Sequence, residues 1–270
     1  MRLAVVGHVE WVDFVPVARL PHPGEVLHAS EGALALAAGG GAVVAVQLAR
    51  LGAEVSFFTA LGDDDLGARA REQLVGHGID LHVGWREQPT RRAVTLVQDS
   101  GERTIVTLGE RLEPAGEDSL PWGTLAQAAA VYVTAGDAAA ARAARAAALV
   151  TASPRARAAL AAIEVDALIY SGRDEEEREW AQRLSDHARL RVVTEGEHGG
   201  HIEGAGRWEA SPPPGPALDA YGCGDSFAAG YTFALARGAD PLAAAGWGAR
   251  CGVACLTGRG PYAAPLPVAA

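Results

Sequence analysis

The chain has 270 residues, a formal net charge of −10 and 49% hydrophobic residues. All 23 basic residues are arginine, and neither lysine nor asparagine occurs in the sequence. The absence of lysine excludes a Walker P-loop ending in Gly-Lys-Ser/Thr, a Schiff-base lysine and a lysine general base. The negative charge argues against a nucleic-acid partner.

The length fits one large α/β domain, residues 1–270, with a core that needs no disulfide. Cys223, Cys251 and Cys255 form no Cys-x-x-Cys pair, which disfavours a zinc site, and the i, i+4 spacing of the last two suggests core positions. No signal peptide precedes the first strand and no apolar run reaches membrane-spanning length. We therefore expect a soluble, cytoplasmic protein without a membrane partner.

The apolar pattern predicts a buried strand over 2–6 and a weakly alternating segment over 12–18. Turn residues then separate a series of further elements. In chain order these are a helix over 42–51, a strand over 55–60, a helix over 65–75, a strand over 79–83, a hairpin of 92–98 and 104–108, a strand over 131–134, a helix over 138–149, a strand over 166–170, a helix over 174–187 and a strand over 190–194.

Strands that alternate with helices predict an α/β fold, a doubly wound and mainly parallel sheet with helices on both faces. Two segments, at about 10–38 and 90–110, do not fit this alternation. Both are antiparallel in character, so we expect them to form one small β-sheet. Such a sheet can act as a lid over the crevice at the carboxyl ends of the main strands.

The strongest functional pattern is Asp219-Ala220-Tyr221-Gly222-Cys223-Gly224-Asp225, which leads into an apolar helix predicted over 227–236. Backbone N–H groups of a Gly-x-Gly turn at a helix N-terminus bind anions, so a phosphate can be held without lysine. Asp225 in the first turn would stand beside that anion and can accept a proton from an attacking hydroxyl. A simple helix cap is the alternative explanation for Asp225 taken alone.

This segment resembles the C-terminal signature of the PfkB (ribokinase-like) carbohydrate kinase family, Asp-Thr-x-Gly-Ala-Gly-Asp followed by a small-residue helix. Ala220 and Cys223 replace the usual Thr and Ala. Further segments are similar to family motifs and occur in the family's order, so the resemblance covers most of the chain. They are the glycine-rich turn at 39–52, the Gly-x-Asp-x-x-Gly region at 59–67, the lid turn at 99–104 and the Thr-x-Gly-x-x-Gly segment at 194–200.

The resemblance implies a ribokinase-like fold and a kinase that uses ATP and Mg²⁺, with a monovalent cation near the C-terminal turn. It implies that Gly222, Cys223 and Gly224 form the anion hole and that Asp225 activates the sugar hydroxyl. The remaining positions carried over are Gly39, Gly40 and Gly41 for the substrate and Thr194, Gly196, Gly199 and Gly258 for the nucleotide. A plain strand-turn-strand is the alternative for the segment at 194–200.

The acceptor site departs from the family pattern. Val43 stands where the family carries an asparagine that contacts substrate hydroxyls. The family often carries a Gly-x-x-Asn-x-Asp motif whose Asn and Asp bind the sugar. Here Glu10 occupies the Asn position, and Asp13 lies one residue after the Asp position. We expect Asp13 and Glu10 to accept hydrogen bonds from hydroxyls, with Trp11 either stacking on a ring or belonging to the lid core.

Two charged regions have open roles. The family's Asn-x-x-Glu motif, which organises Mg²⁺ and phosphate, has no clean match in 171–177; Asp174 or Glu175 is the candidate metal ligand, and a solvated acidic helix start is the alternative. Arg91, Arg92 and Arg103 flank the lid hairpin. They either clamp a phosphorylated or carboxylated substrate or lie at solvated strand ends.

Together these features predict an ATP-dependent phosphotransferase acting on a hydroxyl of a small sugar or sugar-like molecule, with a homodimer through the lid left open. A nucleoside kinase of the same family and a catalytically degenerate sugar or nucleotide sensor are the alternatives. A dinucleotide-binding oxidoreductase is disfavoured, because the third glycine of its fingerprint would fall at Val44.

Overall fold

The computed structural model describes residues 1–29, 32–264 and 266. In this part of the chain the strands are β1 (Arg2–Val6), β2 (Glu10–Val17), β3 (Leu34–Ala38), β4 (Glu54–Gly62), β5 (Asp80–Arg86), β6 (Arg92–Gln98), β7 (Arg103–Leu108), β8 (Ala130–Val133), β9 (Val150–Ala152), β10 (Val165–Ser171), β11 (Ala188–Thr194), β12 (Gly200–Ile202) and β13 (Gly206–Trp208). The α-helices are α1 (Gly40–Arg50), α2 (Asp65–Gly76), α3 (Ala138–Ala144), α4 (Arg157–Leu160), α5 (Glu175–Arg183), α6 (Cys223–Ala236) and α7 (Pro241–Cys255).

Nine strands form one large sheet in the order β13-β12-β11-β10-β9-β8-β1-β4-β5. Every neighbouring pair from β11 to β5 is parallel, whereas β12 and β13 extend the sheet as an antiparallel edge. The parallel strands all have their carboxyl ends at one edge of the sheet. Crevices for ligands form at that edge in open α/β sheets.

Helices cover both faces of this sheet, as the side chains of β1 demonstrate. Leu3 and Val5 pack in a core with α1, α2, α6 and α7, whereas Ala4 and Val6 pack with α3, α4 and α5 on the opposite face. None of these four residues is more than 2% exposed. Successive side chains of a strand point to opposite faces, so both faces are buried. The predicted doubly wound sheet is confirmed.

Helices α6 and α7 approach each other closely because small residues line their contact. A Cβ on Gly230 would lie 2.7 Å from Cys251 Sγ, and a Cβ on Gly248 would lie 2.8 Å from the carbonyl oxygen of Phe227. Cys251 and Cys255 are buried free thiols in this interface, which confirms the predicted core role. The tight packing fixes the position of the α6 N-terminus relative to the sheet.

A second sheet of four strands, in the order β3-β2-β6-β7, forms the predicted lid. The pairs β2–β3 and β6–β7 are antiparallel as expected, but β2 and β6 pair in parallel. The parallel pairing arises because β2 follows β1 and β6 follows β5. Both connecting segments leave the large sheet at the same edge, so the two lid strands run in the same direction. At the hairpin tip, the Gly101 carbonyl accepts a hydrogen bond of 2.9 Å from the Ala220 amide. The lid therefore rests on the Asp219–Asp225 segment.

Two predicted helices are too long, and several short elements escaped prediction. Helix α3 ends at Ala144 rather than at 149, and α5 ends at Arg183 rather than at 187. The end of the alanine-arginine run turns directly into β9 and so cannot remain helical. Strands of three residues, such as β9, β12 and β13, and the single turn α4 are too short for a periodic signal. No helix in the described ranges is long and apolar enough to cross a membrane.

Candidate active site

The turn before α6 is held by one buried carboxylate. Asp219, which is 2% exposed, accepts hydrogen bonds from the Tyr221 amide at 2.8 Å and from the Gly260 amide at 2.9 Å. Gly222 has φ +78°, and a Cβ at this position would lie 2.8 Å from Pro261 Cβ. Only glycine satisfies both the left-handed conformation and this close approach.

The turn runs into α6 four residues earlier than predicted, since the helix begins at Cys223 rather than at 227. Cys223, Gly224 and Asp225 therefore all belong to its first turn. Among the described residues no side chain caps α6 or α1, which begin after Gly222 and Gly39. By contrast, α2, α3, α5 and α7 are each capped by an aspartate. The N-termini of α1 and α6 thus retain N–H groups without a side-chain cap and partial positive charge, which suits an anion. The four-residue helix α4 also lacks a side-chain cap.

Asp225 meets the start of α1 and the end of β1. A Cβ built on Gly40 would lie 3.2 Å from Asp225 Oδ1, 3.3 Å from Thr134 Oγ1 and 3.5 Å from His8 Cε1. These three side chains therefore converge on one point at the carboxyl edge of the sheet. Gly40 leaves the space open, because any larger residue would fill it.

Burial raises the pKa of Asp225 to about 6. The positive charge of Arg155 lowers this pKa and the negative charge of Glu177 raises it. Arg103 lowers it and Glu10 raises it to a smaller extent. A carboxylate with a pKa of about 6 is deprotonated at neutral pH yet more basic than an ordinary aspartate. This combination suits a general base.

The predicted substrate glycines lie beside Asp225. Gly39 has φ +87° and donates its N–H to Tyr221 Oη at 3.1 Å. A Cβ on Gly41 would lie 2.7 Å from the carbonyl oxygen of His8, so α1 begins in direct contact with the end of β1. The structure therefore brings Gly39, Gly40 and Gly41 together with Asp225.

Glu10 also reaches this region, from the first position of β2. It is 7% exposed and forms an ion pair with Arg91, in which Oε1 and Nη1 are 3.2 Å apart. The same oxygen lies 3.8 Å from His8 Nε2. Burial raises the pKa of Glu10, although the arginine charges around it act in the opposite direction.

Asp13 does not join this cluster, contrary to expectation. It lies three residues after Glu10 on the same strand, so the two side chains project from opposite faces of the lid. Asp13 pairs with Arg92, with Oδ2 and Nη2 3.1 Å apart. Trp11 lies on the face of Asp13, is 2% exposed and has the Arg69 guanidinium 4.3 Å from its ring centroid, so it belongs to the core. Asp13 comes one residue after the position of the family's aspartate, so its side chain projects from the opposite face of β2.

The acidic edge of the site is built around Arg155, which follows β9. Its guanidinium donates to Glu177 Oε1 at 2.7 Å and to Asp174 Oδ2 at 3.1 Å. Asp174 also caps α5, whereas Glu175 is exposed in the first turn of that helix. Within the described ranges no group of three or more His, Cys, Asp or Glu side chains is arranged to hold a metal ion. Two carboxylates nevertheless fit Mg²⁺, which commonly takes one or two carboxylates together with substrate phosphates and water.

The segment predicted to bind nucleotide is a strand-turn-strand, the alternative noted above. Thr194 ends β11 and pairs with Gly200 of β12, and the turn between them contains Gly196 and Gly199 with positive φ. A side chain on Gly199 would collide with the Trp208 carbonyl. The turn itself thus accounts for these glycines. Nucleotide binding there stays a prediction.

Gly258 lies in the turn that follows α7, the last helix of the described chain. A Cβ on Gly258 would lie 2.6 Å from the amide nitrogen of Ala264, so glycine permits a close approach of two backbone segments. Its contact with nucleotide or a cation also stays a prediction.

Comparison with known proteins agrees with this architecture. The model of the pfkB family carbohydrate kinases matches residues 1–269. The chain belongs to the pfkB family. Ribokinase of Arabidopsis thaliana is 33% identical over 111 residues, which are 40% of the chain and 29% of that protein. The chain spans between 29% and 46% of the length of the curated relatives it matches.

Solved structures show the same ribokinase-like fold. Ribokinase from Thermotoga maritima superposes with a TM-score of 0.75 at 19% identity, over 98% of this chain and 96% of that one. A nucleoside kinase from Methanocaldococcus jannaschii gives a TM-score of 0.72 at 19% identity, over 99% and 95% of the two chains. The resemblance inferred from the motifs is confirmed.

Several residues of the candidate site were not identified from the sequence. Glu177 lies three residues after Asp174, so 174–177 keeps the Asn-x-x-Glu spacing with aspartate in place of asparagine. That spacing could have identified Glu177 instead of Glu175. Arg155, Thr134 and His8 carry no motif, and only the convergence of separate strands reveals them.

The position of Val43 explains what replaces the family's asparagine. Val43 is fully buried and packs with Val12, Phe14 and Tyr221 beneath the Gly222 turn. Val12 stands where the family's aspartate would fall. Two of the three polar positions of the pfkB pattern are therefore replaced by apolar core residues, and the third is occupied by Glu10.

Proposed function

We propose that the chain is an ATP-dependent kinase that transfers the γ-phosphoryl group to a hydroxyl of a small sugar or nucleoside. The observation that carries this proposal is the position of Asp225, whose pKa is raised to about 6, in the uncapped first turn of α6 beside Gly40. A base and an anion site adjoin there. Phosphoryl transfer requires both.

In this reaction Asp225 accepts the hydroxyl proton as the acceptor oxygen bonds to phosphorus and the bond to ADP breaks. The N–H groups of the Gly222–Gly224 turn, with Cys223 between the glycines, stabilise the negative charge on the transferring group. Backbone donors fixed by the fold are effective because they need no reorganisation during the reaction.

Arg103 is placed to assist from the lid. Burial raises the pKa values of Asp219 and Asp225, and the charge of Arg103 opposes both shifts, which is consistent with a guanidinium near the turn. Within the described part of the chain no carboxylate forms an ion pair with Arg103. A free guanidinium at the lid hairpin can bind the transferring phosphate when the lid is closed.

ATP would supply the phosphoryl group, and Mg²⁺ would neutralise its phosphates. Asp174 and Glu177 are the carboxylates best placed to hold that ion, since both lie around Arg155 at the acidic edge. Thr194, Gly196, Gly199 and Gly258 remain the proposed nucleotide contacts. A monovalent cation beside Gly258 belongs to the same proposal, as does a homodimer through β7, where Ile105, Val106 and Leu108 are exposed.

The proposal is tested by measuring ADP release from ATP with a panel of pentoses, hexoses, sugar phosphates, sugar acids and nucleosides. Acceptor-dependent turnover in the wild-type chain supports a kinase, and the best acceptor identifies its class. Saturable binding of a sugar or nucleotide without turnover would instead support the degenerate sensor, which the loss of polarity at Val43 favours.

Activity should decline below about pH 6. Protonation of Asp225 occupies the lone pair that accepts the hydroxyl proton, so kcat/KM should fall about tenfold for each unit below its pKa of about 6. An ordinary aspartate, with a pKa near 4, would keep full activity down to about pH 5. A profile from pH 5 to 8 in wide-range buffer measures this limb. A flat profile to pH 5 contradicts the assignment.

Glu177→Gln should raise the Mg²⁺ concentration needed for half-maximal activity about tenfold, because the variant loses one of the two carboxylates proposed for the ion. Glu175→Gln is the matched control, since Glu175 is exposed in the first turn of the same helix. It should leave the Mg²⁺ requirement unchanged. Equal effects of the two substitutions would mean that the total negative charge at the start of α5, and not Glu177 in particular, sets the Mg²⁺ requirement.

A further inference from the structure

The end of the crevice beyond Asp225, where the acceptor would lie, is formed by His8, Glu10 and Arg91. A Cβ built on Gly40 would lie 3.5 Å from His8 Cε1 and 3.2 Å from Asp225 Oδ1, so the two side chains are close to each other. Glu10 Oε1 lies 3.8 Å from His8 Nε2 and 3.2 Å from Arg91 Nη1. His8 is 6% exposed, whereas the Arg91 side chain retains 19% exposure. The Arg91 side chain is therefore partly exposed next to the buried His8.

Two polar atoms of this group have no partner. Arg91 Nε and His8 Nδ1 are both buried, and no described residue forms a hydrogen bond with either of them. An arginine Nε–H can only donate, so the missing partner of Arg91 is an acceptor. Buried donors normally have partners, because leaving one unpaired costs about 1–3 kcal/mol.

The charges around this end are mainly positive. Those acting most strongly on both His8 and Glu10 belong to Arg91, Arg111 and Arg155. Arg155 is already bound to Asp174 and Glu177, and Arg111 is bound to Glu113 through Nε at 2.7 Å. Arg91 approaches Glu10 most closely through Nη1, and its Nε has no partner among the described residues. Arg91 thus keeps the most unused donor capacity.

Two hydroxyl-binding side chains of the pfkB pattern are replaced in the same region, whereas Glu10 and Thr134 remain there. Val12 and Val43 occupy the two replaced positions, and both are fully buried. An acceptor recognised only through neutral hydroxyl groups would therefore lose two of the partners that this pattern provides. An anionic group would instead supply acceptor oxygens to Arg91 and to a neutral His8 carrying its proton on Nδ1.

We infer that the acceptor carries an anionic group, a phosphate monoester or a carboxylate, which Arg91 binds with His8 while a free hydroxyl of the same molecule meets Asp225. The statement about the hydroxyl at Asp225 rests on the proposed kinase function, whereas the statement about the anionic group does not. Binding of the anionic group depends on Arg91 whether or not transfer occurs. Arg111 strengthens the positive field without being the direct ligand.

The experiment compares acceptors that differ only in charge. Each neutral sugar is paired with its phosphate monoester and its sugar acid, and both calorimetric binding and ATP-dependent transfer are measured with the full chain. Wild type should prefer one anionic member by at least about tenfold in Kd and kcat/KM. The phosphate and acid arms identify which anion is bound.

Arg91→Gln should weaken binding of the preferred anionic acceptor about 10- to 100-fold and leave the KM for ATP unchanged. Arg92→Gln is the matched control, because Arg92 faces away with Asp13 and should change the Kd less than twofold. Glu10→Gln should act oppositely and tighten anion binding, since it removes the negative charge beside Arg91. This gain cannot result from misfolding.

The outcomes separate the two proposals. Anion binding that is lost in Arg91→Gln without any transfer supports the inference and overturns the kinase function. Transfer that is equally efficient or better with neutral acceptors supports the kinase and overturns the inference. Equal loss of neutral and anionic acceptor binding in Arg91→Gln would also overturn it, since Arg91 would then be only structural.

Discussion

Asp225→Asn should lower kcat about 10²- to 10⁴-fold, the range in which a positioned general base contributes to catalysis. The amide keeps the shape of the carboxylate but cannot accept the hydroxyl proton. Nucleotide affinity should remain close to that of the wild type, because the N–H groups of the turn are unchanged. Initial rates of ADP formation and calorimetric titration with ATP measure the two quantities. A variant retaining more than a tenth of the wild-type kcat would contradict the role.

The same substitution should stabilise the fold at neutral pH. Asp225 has a pKa of about 6 in the folded chain, above the value near 4 of an unfolded aspartate. The folded state therefore binds more protons between about pH 4 and 6, and the free energy of unfolding falls as pH rises through this window. At pH 7 the asparagine variant avoids that cost, which we expect to be about 1–3 kcal/mol.

Thermal unfolding at pH 5 and pH 8 measures this effect. The difference in Tm between Asp225→Asn and wild type should be larger at pH 8, where the wild-type carboxylate is charged. Asp13→Asn is a suitable control, because Asp13 is partly exposed and paired with Arg92 outside the site. It should not stabilise the chain.

Gly222→Ala should lower both stability and activity. The φ of +78° costs a residue with a Cβ about 1–2 kcal/mol, and the new methyl group would also press on Pro261 at 2.8 Å. We expect Tm to fall by several degrees and ADP formation to decrease, because the N–H groups of the turn lose their alignment. Differential scanning fluorimetry and initial rates measure the two effects.

Gly224→Ala is the matched variant from the same turn. It has an ordinary φ, and a Cβ there meets no atom within 4 Å, so Tm should change by less than about 1 °C. The methyl group would nevertheless occupy the space in front of the turn and should raise the KM for ATP. Unchanged KM in Gly224→Ala would indicate that the phosphate binds elsewhere.

Local patterns were enough to predict a glycine turn that leads into a helix at 222–225. Gly222, Gly224 and Asp225 lie within four residues, and the roles proposed for them combine helix-terminus chemistry with the resemblance to the pfkB signature. The large sheet was predictable for a similar reason, because long apolar strands and helices carry clear periodicity. The positions of Cys251 and Cys255 in the core followed from their spacing.

The surroundings of Asp225 were less predictable, since they depend on register and convergence. Asp13 lies one residue after the motif position and therefore on the outer face of β2, where it pairs with Arg92. The sequence alone does not show which face of a strand each motif residue occupies. His8, Thr134 and Arg155 follow three different strands, β1, β8 and β9, that become neighbours only in the folded sheet. The contact of β2 with β6 likewise follows from the path of the chain and from no local signal.

The double hydrogen bond of Asp219 has a consequence for ligand binding. One carboxylate links the turn before α6 to the C-terminal segment at Gly260, so the turn whose amides we propose as the anion site is ordered without a ligand. The entropy of fixing these backbone groups is lost during folding and not during binding, which favours tight association. Glu10, the first residue of the lid strand β2, lies at the proposed acceptor end of the site. Substitutions in the lid should therefore alter acceptor affinity more readily than nucleotide affinity.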